Sequence, residues 1–148
     1  MRALFIRPHD FLAAQMKAWL ASLGMVPVVT GELKQLPKFA GADAGVGVIS
    51  LAVSSSVRAT VREATTEVLR LMPALPIVFT SLASHAKVRA RIEEELTGLG
   101  LGVHTINEPN VSWGITGVAL FIAGPEIGTP AATAIARRHL RLAPWVDE

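Results

Sequence analysis

The chain alternates short apolar runs with amphipathic stretches, and the two periods predict its elements. Ala3-Leu4-Phe5-Ile6 is a continuous apolar run that stops at Arg7-Pro8-His9-Asp10. It reads as a buried strand delivering polar and rigid residues to one edge of a sheet. Leu12, Met16, Trp19, Leu20 and Leu23 then recur at helical spacing, with Asp10 as candidate N-cap and Gly24 as stop. Val26–Thr30 reads as a strand, and Pro27, which has no N–H for a ladder, sends it to a sheet edge. Leu33, Leu36 and Phe39 suggest a brief helix interrupted by Pro37. Gly45–Leu51 is a second buried strand, whose glycines admit a close-packed helix. Ser54-Ser55-Ser56 is the candidate cap of a helix with inner face Val57, Val61, Ala64, Val68 and Leu71, closed by Pro73. Pro76–Ser81 is a further strand, and Val88, Ile92, Leu96 and Leu99 mark a helix ending at Gly98 and Gly100. Val103–Ile106 reads as a strand, Val111–Ala123 as a helix weakened by Gly114 and Gly117, and about Ala131–Leu142 as a last helix.

Strands alternating with helices predict the α/β class. Parallel neighbours need right-handed crossovers, which place helices on both faces of the sheet. The expectation is a three-layer αβα sandwich with a five-stranded parallel sheet of order 2-1-3-4-5, the flavodoxin-like order that puts the Pro27 strand at an edge. Residues 1–124 form that domain, and residues 125–148 form an extra C-terminal helical extension packed on it or on a partner.

Composition narrows the chemistry. At 148 residues the chain can bury a core without staples. It is 51% hydrophobic but only 5% aromatic. An aliphatic, alanine-rich core follows, with apolar surface to spare for a partner such as a second copy. A formal charge of +2 gives no basic coat and no reason to infer nucleic acid. The absence of cysteine removes disulfides, a thiol nucleophile and thiolate metal sites. Ile115–Ala123, the longest apolar stretch, is too short to span a bilayer, and the start lacks the pattern of a signal peptide, so a cytoplasmic location is expected.

The succession of strand ends resembles the receiver domain of two-component response regulators over about Arg2–Gly124. Receivers carry an acidic pair at the end of their first strand, about sixteen residues before a glycine; counting back from Gly24 gives Arg7 and Pro8. The phosphate-accepting aspartate falls at Ser50, the hydroxyl residue of strand 4 at Thr80, and the lysine-proline of strand 5 at Glu108-Pro109. The resemblance implies a cis bond before Pro109 and puts the aromatic switch position at Thr105. Thr80 and Pro109 survive, while the acids, the acceptor and the lysine do not. Mg²⁺ needs several oxygen ligands, and Arg7 and Pro8 supply none. A serine forms no acyl phosphate, and Glu108 would repel a phosphoryl group. The resemblance therefore implies a pseudo-receiver without the family's phosphotransfer. Two arrangements of Arg7 follow: a charge-assisted pair with Glu108 across the former pocket, or, favoured, solvation or a pair with Asp10.

Other chemistry is weaker. His9, Asp10, Ser81, Ser84 and His85 could converge as a hydrolase site, but no G-x-S-x-G elbow accompanies them, and capping or turn roles are favoured. His9, His85, Asp10 and Glu108 lack metal-ligand spacing, and no Gly-rich nucleotide motif is present, so no cofactor or metal is expected. Arg137-Arg138-His139-Leu140-Arg141 reads as a solvated helix face with cations suited to a helix C-terminus. The expected function is signalling by protein–protein contact with another pathway protein, as a homodimer, with no membrane partner. The surface lies around the fourth helix, fifth strand and fifth helix, where Thr105, Trp113, Val118 and Phe121 stand. A flavodoxin-like small-ligand domain is the alternative, and a hydrolase using His9, Asp10 and Ser81 the third reading.

Overall fold

The computed structural model describes residues 1–53, 55–108, 118–140 and 142. Six parallel strands form one sheet: β1 (Arg2–Arg7), β2 (Val26–Val29), β3 (Ala44–Ser50), β4 (Ile77–Ser81), β5 (Gly102–Thr105) and β6 (Val118–Ala123). Helices α1 (Asp10–Ser22), α2 (Val61–Leu71), α3 (His85–Leu96) and α4 (Pro130–His139) cover its faces, and Leu33–Lys38 forms a 3-10 turn that tolerates Pro37. Successive strand residues point to opposite faces. Ala3, Phe5, Val46, Val48, Leu120 and Ile122 pack with α1 and α4, whereas Leu4, Ile6, Ile49, Phe79, Ala119 and Phe121 pack with α2 and α3. This is the expected three-layer α/β sandwich.

Among the described residues the sheet order is β2-β1-β3-β4-β6-β5, six strands rather than five. The difference lies at Val118–Ala123, read as the end of a helix but forming β6, hydrogen-bonded between β4 and β5. A strand inside a parallel sheet is buried on both faces and shows a continuous apolar run rather than alternation. Val-Ala-Leu-Phe-Ile-Ala followed by Gly124-Pro125 fits that slot. The rest of the expected helix, from Val111 to Gly117, lies outside the described residues.

Two helix starts also differ. Helix α2 begins at Val61, capped by Thr60, whose hydroxyl accepts from Glu63 N–H at 3.0 Å while Glu63 accepts from Thr60 N–H at 2.9 Å. Val57 is buried in the preceding loop rather than on the helix. At α1, His9 is the cap residue and Asp10 the first helical residue, where an acid suits the dipole.

Helix α4 follows β6, the strand beside β4. It belongs to the core: Ala132, Ile135, Ala136 and Leu140 are buried with Phe5, Met16 and Trp19. Trp19 Nε1 donates to Thr133 Oγ1 at 3.0 Å, and His139 Nε2 lies 3.0 Å from the Ile77 carbonyl, tying α4 to α1 and β4.

Candidate functional site

In open α/β sheets the carboxyl ends of the strands are where sites are built. Here that edge is organised by Arg7. Strand β1 shifts register against β3 between Phe5 and Arg7, and Arg7 ends up only 5% exposed. Its guanidinium points into the loop after β3. Nη1 donates to the carbonyls of Ser50 at 2.6 Å and Ala52 at 2.8 Å, and Nε donates to that of Ala59 at 2.7 Å. A planar fork of donors suits such a set of acceptors, which a single ammonium could not span. Burial lowers the Arg7 pKa from the ordinary arginine value, Arg91 adds repulsion, and Glu95 opposes both. Arginine remains a cation under such a shift.

The neighbouring residues complete a filled edge. Ser50 is buried, and its Oγ accepts from Ala52 N–H at 3.1 Å, so it serves the turn. Leu51 N–H donates to the Thr80 carbonyl at 2.9 Å, and Ser55 Oγ donates to the Pro8 carbonyl at 2.8 Å, joining three strand ends. The crevice lined by Arg7, Pro8, His9, Ser50 and Thr80 holds no space for a water molecule. Thr80 Oγ1 and His9 Nδ1 lie buried there without a hydrogen-bond partner.

Neither expected arrangement of Arg7 occurs. Its hydrogen bonds go to main-chain carbonyls. Glu108 follows β5, which β3, β4 and β6 separate from β1. The Glu108 carboxylate lies 3.0 Å from His104 Nδ1 and accepts from Thr105 N–H at 3.1 Å and Thr105 Oγ1 at 3.2 Å. These contacts, His104 foremost, hold its pKa below the usual carboxylate range. Glu108 is therefore the anchor of a turn, not part of the strand-end crevice.

The strand that ends beside β4 is β6, followed by Gly124-Pro125, whereas Glu108 follows the edge strand β5. A Cβ on Gly124 would lie 3.5 Å from Leu12 Cδ2 and 3.7 Å from the Ser81 carbonyl, between α1 and β4. Among the described residues no peptide bond is cis, and Pro109 lies outside them.

The hydrolase residues are employed separately. Ser81 Oγ accepts from Ala83 N–H at 3.1 Å, the His85 ring stands edge-on to Phe121 at 5.3 Å, and Asp10 lies exposed in the first turn of α1. Among the described residues no group of three or more histidines or acids is placed to hold a metal. No described helix is long and apolar enough to cross a membrane.

Of the expected interaction residues, Phe121 is 1% exposed and stands in the core, because β6 is an interior strand beneath α3. Thr105 is half-buried at the end of the edge strand, Val118 opens β6, and Trp113 lies outside the described residues. The surface that remains is the flank of α3 and β5, with a cavity of about 840 Å³ lined by His85, Arg89, Ile92, Leu96, Leu101 and Val103 among others. Sequence reasoning missed the Ala52 and Ala59 carbonyls. Main-chain acceptors carry no residue-type signal.

No family model and no curated protein matches the chain. Solved structures do. The chain aligns with the receiver domain of NtrX from Brucella abortus at TM-score 0.60 and 13% identity, covering 95% of this chain and 99% of that one. NtrX from Brucella abortus in complex with ADP aligns at TM-score 0.61 and 14% identity, covering 95% of this chain. The chain spans only 27% of that longer NtrX chain. This likeness establishes a receiver-like fold.

Proposed function

We propose that this chain is a receiver-like signalling module that does not accept phosphate and acts by contact with other proteins, as a homodimer, in the cytoplasm. The observation that carries the reading is the buried Arg7 guanidinium bonded to the carbonyls of Ser50, Ala52 and Ala59. A divalent cation in the strand-end crevice would compete with a fixed positive charge and find no carboxylate at Arg7, Pro8 or Ser50. Ser50 offers a hydroxyl already engaged by Ala52 N–H, and Gly124 offers no ammonium to draw in a phosphoryl group. The filled crevice speaks against small-ligand binding or catalysis there, since ligand sites are open clefts with convergent polar groups.

The test is incubation with acetyl phosphate and Mg²⁺ followed by intact-mass measurement, with a receiver that retains its acids run in parallel. The expected result is an adduct on the control alone. An acid-labile phosphoryl adduct on this chain would overturn the reading. Light scattering over a concentration series tests the dimer.

A further inference from the structure

A cavity of about 360 Å³ lies at the amino edge of the sheet, opposite the strand-end crevice. Met1, Ala44, Met72, Leu75, Pro76 and Leu140 are among its lining residues, and no charged side chain stands there. It is built where β3 starts, in the turn between α2 and β4, and at the C-cap of α4. Its floor is closed, since a Cβ on Gly45 would collide with the side chains of Met1 and Met25. Its mouth is not. Met1 is 56% exposed, Ala74 is exposed, and Met72 and Leu75 are half-buried. Covering such an apolar hollow releases water and is favourable.

The chain leads to this opening. Leu140 ends α4 and lines the cavity. Leu142 N–H then donates to the Arg137 carbonyl at 2.8 Å, a bond of the kind that folds a chain back over a helix end. Leu142 packs against the core cluster that holds Phe5 and Trp19. Residues 143–148 lie outside the described residues, and they begin Ala143-Pro144-Trp145-Val146. Pro144 disfavours continuing a helix. Trp145 follows Leu140 by five residues, at most about 18 Å of extended chain.

We propose that Trp145 seats in this cavity and latches the segment 143–148 across the amino edge, tying α4 to the turn between α2 and β4. An indole brings the large apolar area that the lining lacks a partner for. The thioethers of Met1 and Met72 are soft neighbours suited to an aromatic ring. The tether decides the occupant: a short linker holds its own tryptophan at an effective concentration in the millimolar range, which a free partner would have to exceed. While the latch is seated, the opening is closed to other proteins. The inference goes beyond the reading of the strand-end site and does not depend on it.

The experiment uses the full chain and reads Trp145 as the difference in fluorescence between wild type and Trp145→Phe. The expected signal is emission shifted to the blue of a solvated indole, with iodide quenching reduced several-fold and no change across a concentration series. Met72→Glu and Ala74→Glu set a carboxylate at the opening. With far-UV circular dichroism unchanged, they should move the Trp145 emission to the red and restore quenching. A solvated Trp145 in the wild type overturns the proposal, whether or not either variant folds. So does a blue-shifted signal that reddens on dilution, which would place the ring in a second copy. A signal that both folded variants leave unchanged seats the ring elsewhere and also overturns it. Neither phosphate nor Mg²⁺ enters this measurement, so its failure is separate from an adduct in the acetyl phosphate test.

Discussion

The Nη1 atom of Arg7 lies 2.6 Å from the carbonyl oxygen of Ser50, joining the end of β1 to the end of β3 through a buried cation. The same guanidinium holds Ala52 and Ala59, so one side chain ties down both ends of the loop between β3 and α2. Removing it leaves these main-chain acceptors, and the Val53 carbonyl 3.5 Å from Nη2, to find other donors. Arg7→Met is expected to cost at least about 2 kcal/mol, read by urea denaturation. Arg7→Lys should recover only part of this, because an ammonium cannot fork among these carbonyls. Equal stability of all three proteins would mean that the loop holds its path unaided.

Phe121 gives the sharpest test of β6. As a core residue packed on the α2–α3 face it should cost about 3–5 kcal/mol when replaced by alanine. On an exposed helix the same change would stay within about 0.5 kcal/mol. Chemical denaturation distinguishes the two without any knowledge of partners.

Glu108 makes the stability of the β5 turn depend on acid. Its folded pKa is depressed by His104 first, with Thr105 N–H and Oγ1 adding to it. A depressed carboxyl contributes stability above its unfolded value of about 4.3, and loses it as pH falls through the lower folded value. The side chain is 45% exposed, so the effect is small, within about 1 kcal/mol. Wild type should melt slightly above Glu108→Gln at neutral pH, and the gap should close toward about pH 3.

Thr60 and Glu63 cap α2 reciprocally. Thr60→Ala should lower stability by about 1 kcal/mol. Ser55→Ala, which leaves that cap intact, should not shorten the helix by circular dichroism. A helix capped instead by the serine cluster would respond in the opposite order.

Much of the fold was legible because strands β1, β3 and β4 are short apolar runs closed by polar residues, and because Pro27 marks an edge. The run at residues 118–123 was not, since a strand buried on both faces loses its period of two and resembles a buried helix. Its length and the following Gly124-Pro125 were the available arbiters. The true cap of α2 was written in Thr60-x-x-Glu63, but the serine cluster lay nearer the apolar run that starts at Val57. At the strand-end site, the missing acids could be read from residue types. What occupies the space could not, because Arg7 binds oxygens that every residue possesses.

The insertion of β6 between β4 and β5 has a consequence in time. During synthesis α3 and β5 emerge before β6, the strand that β5 pairs with among the described residues. Until residues 118–123 leave the ribosome, β5 and the outer side of β4 lack the strand that joins them. The sheet is therefore joined from within, by a strand made after both of its neighbours. Non-local pairing of this kind slows folding. A nascent chain halted after Thr105 would expose both flanks of that gap, the condition under which incomplete α/β sheets aggregate.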